Sequence, residues 1–285
     1  SKNGYKVAAI CPMNSVSRAH TEVFIPDPWS DNAYKGSSFF IKKIVDVIQQ
    51  SVRQNVSNTN NIYSYFIMLA AVVYFGNLKS FFRQIKHGIG SFKNKWIKAV
   101  MLDELLQDIF LYHFKKNKLN YLSVFLNAGA HIQHHYFFNS IVYDGLNTNP
   151  DWYINKQTDP VLYSYESYDK FIGALMQQNK VNKSKVVIAT GLSQEPCEKT
   201  IFYWKLKVNK FMKSININDF ILHPKMSRDF ELEFDSITQM NTALLKLREC
   251  EIENEKIFNL HARSNRIFCE FVYGKNIDMQ TSVVI

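Results

Sequence analysis

The densest concentration of chemically capable side chains is the stretch Asn127-Ala-Gly-Ala-His131-Ile-Gln-His134-His135-Tyr136. Three of the chain's eight histidines fall there. Neutral imidazole ligates metals and carries protons near pH 7. The small residues Ala128, Gly129 and Ala130 let a ligand or a second backbone come close. A bland alternative is that His134 and His135 are partly buried hydrogen-bonding residues. Their clustering directly after an apolar run favours function. Two further stretches carry polar groups suited to an anion. His223-Pro-Lys225-Met-Ser227-Arg228-Asp229 offers an ammonium and a guanidinium, and Arg228 is able to grip a phosphate or sulfate bidentately. A solvated turn, with Arg228 paired to Asp229, reads equally well. Thr190-Gly-Leu-Ser193-Gln194 supplies hydroxyls and an amide, and Asn14 follows the first apolar run.

These groups serve one site only if a scaffold brings them together. Val7-Ala-Ala-Ile10 predicts a buried strand that ends in Cys11-Pro12-Met13-Asn14. Residues 121–126 predict a second strand and 186–189 a third, with further short strands at 220–222, 230–234 and 267–273. Helical spacing of apolar residues predicts helices at Phe40 to Ile48, at 63–75, and at Ile97, Met101, Leu105, Ile109 and Tyr112. Another helix is expected over 161–178, and one after the N-cap Ser236. Strands alternating with helices imply an α/β chain: a single domain, 1–285, built as a three-layer α/β/α sandwich on a mostly parallel sheet. Residues 37–118 read as a helical insertion. Ligands of open α/β sheets sit beyond the carboxyl ends of strands, which is where Asn14, 127–136 and 190–194 are expected.

Composition narrows the functional classes. The 285 residues are 46% hydrophobic with few Gly and Pro, which excludes disordered and collagenous chains. The four cysteines, Cys11, Cys197, Cys250 and Cys269, show no CxxC pair, so they are read as small buried apolar groups in a reducing, cytoplasmic setting. The longest apolar run, 67–75, is far short of the ~20 residues of a membrane span. No signal peptide, P-loop, GxGxxG, GxSxG, HExxH or specific nucleic-acid motif is visible. The formal charge is +9. An AT-rich genome accounts for much of that through abundant lysine. It does not account for residues 47–102, which contain Arg53, Lys79, Arg83, Lys86, Lys93, Lys95 and Lys98 but no Asp or Glu.

The strand followed by Asn127-Ala-Gly-Ala-His131 resembles the D-x-x-x-H metal motif of the alkaline phosphatase superfamily, in its type I phosphodiesterase/nucleotide pyrophosphatase branch. Tyr168-Asp169-Lys170 with Phe171-Ile172-Gly173-Ala174-Leu175 is similar to a helix of that branch. The 186–189 run resembles the strand that there ends in Ser-Asp-His-Gly. This sequence has Asn at the Asp position, and Ala189-Thr190-Gly191 where the Asp-His pair would stand. No segment matches the family's nucleophile, which would place this sequence in the C-terminal portion of a longer protein. The resemblance implies a hydrolase or transferase acting on a phosphate or sulfate ester. Its substrate would be an anionic small molecule or a phosphorylated or sulfated glycan. The metal site would be remodelled, holding at most one divalent ion such as zinc. In that reading His131 and His135 are metal ligands, with His131, Asn127 and Thr190 catalytic. Arg228, Lys225, Asn14 and Gln194 contact substrate. The alternative is a non-catalytic module that binds an anionic polymer or membrane surface through 47–102.

Overall fold

A computed structural model of the chain describes residues 4–13, 15–16, 21–28, 38–54, 62–116, 118–190, 193–196, 207–225 and 228–274. The expected Asn14 and Cys197 lie outside the described residues. The chain is mixed α/β and forms two compact units, Ser1–Pro196 and Cys197–Ile285.

The first unit holds a three-stranded parallel sheet. Its central strand is β1 (Val7–Ile10), flanked by β2 (Thr21–Ile25) and β3 (Tyr121–Val124). Ala8, Ile10 and Ile25 are fully buried, as a parallel strand covered on its faces requires. Four helices occupy the chain between β2 and β3: α1 (Phe39–Gln54), α2 (Ile62–Phe75), α3 (Leu78–Gly90) and α4 (Ile97–Lys116). The region expected to be helical is helical. β2 and α3 were not expected from the sequence; Gly88 and Gly90 both sit in the last turn of α3. Asn77 starts α3 by accepting a 3.0 Å bond from the Ser80 amide. After β3 come α5 (Ala128–Tyr136), a 3-10 turn (Phe137–Asn139) and α6 (Pro160–Asn182). Asp159 caps α6 ahead of Pro160 at its first position.

The 186–189 run is not a strand. It belongs to no sheet among the described residues; Val186 packs partly buried against the core, while Val187 and Ile188 are exposed. An internal parallel strand buries both faces; this run fully buries none of its residues.

The second unit carries sheets of its own. It comprises α7 (Val208–Ser214), β4 (Phe220–Pro224), β5 (Phe230–Phe234), α8 (Ile237–Arg248), β6 (Glu251–Ile252), β7 (Glu255–Lys256), β8 (Phe258–Arg263) and β9 (Arg266–Phe271). Its main sheet is antiparallel, in the order β4-β5-β9-β8. The alternation along β5 buries Phe230, Leu232 and Phe234 on one face, against α7 and α8 residues such as Met212 and Leu247. Leu232→Ala, at a fully buried position, is expected to cost about 2–5 kcal/mol, read as a lowered urea midpoint. Cys11, Cys250 and Cys269 are buried free thiols, as expected of small apolar groups.

Candidate active site at the carboxyl edge of the parallel sheet

β3 runs out at Val124, and the chain turns through Asn127 into α5. The expected polar loop is thus a helix, and its geometry follows from that. His131 and His135, four residues apart, lie on one helix face with ring centroids 5.0 Å apart. The His134 Nε2 lies 3.2 Å from the Gln194 Nε2. The His135 Nδ1 lies 3.1 Å from the Tyr153 hydroxyl, the kind of outer contact that orients an imidazole. Desolvation, and then the charge of neighbouring His134, hold the His131 pKa below its ordinary value.

α5 is fixed by a residue the sequence reading did not select. Asp103, on α4, is buried and sits at the N-terminus of α5. Its Oδ2 accepts from the Ala128 amide at 2.8 Å and from the Tyr168 hydroxyl at 2.7 Å; its Oδ1 accepts from the Asn127 amide at 3.4 Å. The Tyr168 hydroxyl in turn accepts from the Gly129 amide at 2.8 Å. A Cβ at Gly129 would lie 3.1 Å from the Tyr168 ring, so only glycine admits this approach without displacement. Burial pushes the Asp103 pKa up to about 6, with the bonds from Tyr168, Ala128 and Asn127 pulling part of the way back. Burial also raises the Cys11 thiol, with Asp103 and Asp27 adding to the effect. Cys11 closes β1, so a buried carboxylate, a protonated thiol and the start of α5 share the sheet's carboxyl edge. The N-terminal amides of α5 are engaged by this carboxylate, which leaves the exposed Asn127 carboxamide, free of any capping bond, as the polar group facing outward there.

A second cluster went unselected. α4 buries Glu104, Gln107 and Asp108 as well as Asp103. Glu104 Oε2 lies 3.0 Å from His87 Nδ1, 3.4 Å from Gln84 Nε2 and 3.1 Å from Arg83 Nε, and Ser167 donates to Oε1 at 3.4 Å. The His87 Nε2 bonds the Tyr163 hydroxyl. Ser80 donates to Asp108 at 2.9 Å. The legible signal was the repeat Ser80, Gln84, His87, a polar stripe directly opposite the apolar stripe of α3.

The remaining candidates are placed as follows. Gln194 reaches α5; Thr190 is exposed at the end of the unpaired run. Lys225 and Arg228 belong to the second unit. Lys225 is paired with Glu231 at 3.0 Å, and the Arg228 guanidinium lies over the Phe271 ring at 5.0 Å. They flank the β4–β5 turn, closed by the Lys225 amide on the Asp229 carbonyl. Among the described residues no three His, Cys, Asp or Glu side chains converge as a metal cage. An open cavity of about 410 Å³, lined by Asn139, Asn149, Lys156, Thr158 and Asp159 among others, includes none of the α5 histidines in its lining. No protein-family model matches the chain, and no curated protein or solved structure is detectably similar to it.

Proposed function

We propose that the chain is a hydrolase or transferase of phosphate or sulfate esters, working in the cytoplasm, and a divergent relative of the alkaline phosphatase superfamily. In this reading the parallel sheet is the centre of a three-layer α/β/α sandwich. The carrying observation is the helix that follows β3, which aligns His131 and His135 on one face while Gln194 arrives from another segment. The imidazole pair fits one divalent cation: rings four residues apart on one helix face suit two-point ligation, and the Tyr153 hydroxyl beside the His135 Nδ1 is the kind of outer partner that orients a ligand ring. Such an ion supplies a Lewis acid for the ester oxygen and a lowered pKa for water. The chain's own groups do the rest. His131 ligates or accepts a proton. The Asn127 carboxamide orients an ester oxygen and Gln194 holds His134; the substrate is an anionic small molecule or a phosphorylated or sulfated glycan.

The test is titration of the protein with zinc, followed by assay on phosphate and sulfate esters. Wild type is expected to bind one ion. His131→Ala and His135→Ala are each expected to weaken binding and turnover by at least 10–100-fold. A wild-type protein that binds no divalent ion and turns over none of these esters sinks the reading.

A further inference from the structure

Helix α3 is built inside out. Ser80, Gln84 and His87 are buried, whereas Leu78, Phe82, Ile85 and Ile89 are exposed. At about 100° per residue these four apolar side chains fall within an arc of roughly 60°. They are not marginally exposed: Leu78 is 71% accessible, Ile89 69%, and Phe92 just beyond the helix 86%. α2 precedes α3 across Gly76-Asn77, contains no charged residue, and also turns Phe66, Leu69 and Val73 outward. Tyr63 and Tyr74 lie at the margins of that outward face. Soluble monomers seldom expose apolar patches beyond roughly 300–600 Å². Two successive helices that do so call for something to cover them.

The surrounding charge names the cover. Lys79 and Lys86 fall about 90° from the apolar stripe of α3, at the flank where a long side chain snorkels. They are exposed, as are Lys93, Lys95 and Lys98. Among the described residues none of these lysines is in an ion pair. No acidic residue occurs in 47–102, and Arg83, a basic residue of α3, is drawn inward to Glu104 and Asp108. A protein partner would need to present an apolar groove rimmed only by carboxylates. An anionic bilayer presents both features everywhere. No helix among the described residues is long and apolar enough to cross a membrane, so the helices would lie in the interface. Tyrosines at the margin of an apolar face suit the headgroup level.

We infer that α2 and α3 form a docking surface for an anionic lipid bilayer, the apolar faces entering the interface and Lys79 and Lys86 contacting headgroups. This stands independently of the enzymatic reading.

Flotation of the full chain with vesicles tests it, comparing phosphatidylcholine/phosphatidylserine with phosphatidylcholine alone. Wild type is expected to float with the anionic vesicles and to be released by salt. Lys79→Gln with Lys86→Gln is expected to weaken partitioning roughly 30-fold. Phe82→Ser with Ile89→Ser is expected to weaken it more than 10-fold, with an unchanged thermal midpoint because both side chains already face outward. Three results would overturn the inference: no flotation, flotation indifferent to both variant pairs, or a lipid-free dimer that Phe82→Ser with Ile89→Ser dissociates while vesicles retain no protein.

Discussion

Glu104→Ala is expected to destabilise the N-terminal unit by about 3–5 kcal/mol, read as a lowered urea midpoint with an unchanged slope. The size follows from what the carboxylate leaves behind. Glu104 is 3% exposed, and its two oxygens face His87, Gln84, Arg83 and Ser167. Removing it takes the buried carboxylate from both the His87 imidazole and the Arg83 guanidinium, which among the described residues keep only Tyr163 and the more distant Asp108 respectively. Burying the charge was itself costly, so the intact network adds little net stability; the penalty for breaking it is the unpaired remainder. Glu104→Gln keeps the shape and one acceptor, and is expected to cost about 1 kcal/mol. Equal midpoints for wild type and Glu104→Ala would show that solvent reaches these groups.

The second large effect is a pH dependence opposite to that of most carboxylates. Asp103 titrates at about 6 in the folded chain, against about 3.9 for an unperturbed Asp. Between those values the native state holds a proton that the unfolded chain has released. Stability from this group is therefore fully present below pH ~4 and is lost as pH rises through about 6. Relative to Asp103→Asn, wild type should gain about 2 kcal/mol between pH 7 and pH 4. Asp108, raised to about 6 chiefly by burial, acts in the same direction. Glu231 in the second unit acts in the opposite one. Burial raises its pKa, but bonds and charges from Lys225 and Arg266 outweigh that, so its contribution is present above its unfolded pKa and lost on acidification. Urea midpoints of wild type and Asp103→Asn at the two pH values give the answer; parallel pH profiles would mean that Asp103 is not desolvated.

The helices legible in the sequence were those whose apolar stripe faces the core. The α4 spacing placed Leu105 and Ile109 correctly at zero exposure, and the Ser236 cap and the alternation along β5 read directly. α3 failed because the assumption that apolar means inward fails there. Its polar stripe is the packed one, satisfied by acids of α4 that periodicity assigns to solvent. The 186–189 run failed for the converse reason: β-branched residues specify a strand only where a neighbour completes the ladder. In the candidate site, His131 and His135 were legible as members of one histidine-rich stretch; α5 sets their rings 5.0 Å apart, and Gln194 meets His134. Asp103 and Tyr168 were not, because their role is to hold the start of another helix across 25 and 39 residues of sequence, a relation no local pattern encodes.

The bonds of Ser80, Gln84 and His87 to α4 and α6 have one more consequence. They settle the rotational phase of α3 about its own axis before any lipid arrives. Turning Phe82 and Ile89 out of water would strip the buried amide, hydroxyl and imidazole of their partners. The greasy side is thus displayed constitutively, and adsorption needs neither a coil-to-helix transition nor the ordering entropy that such a transition demands.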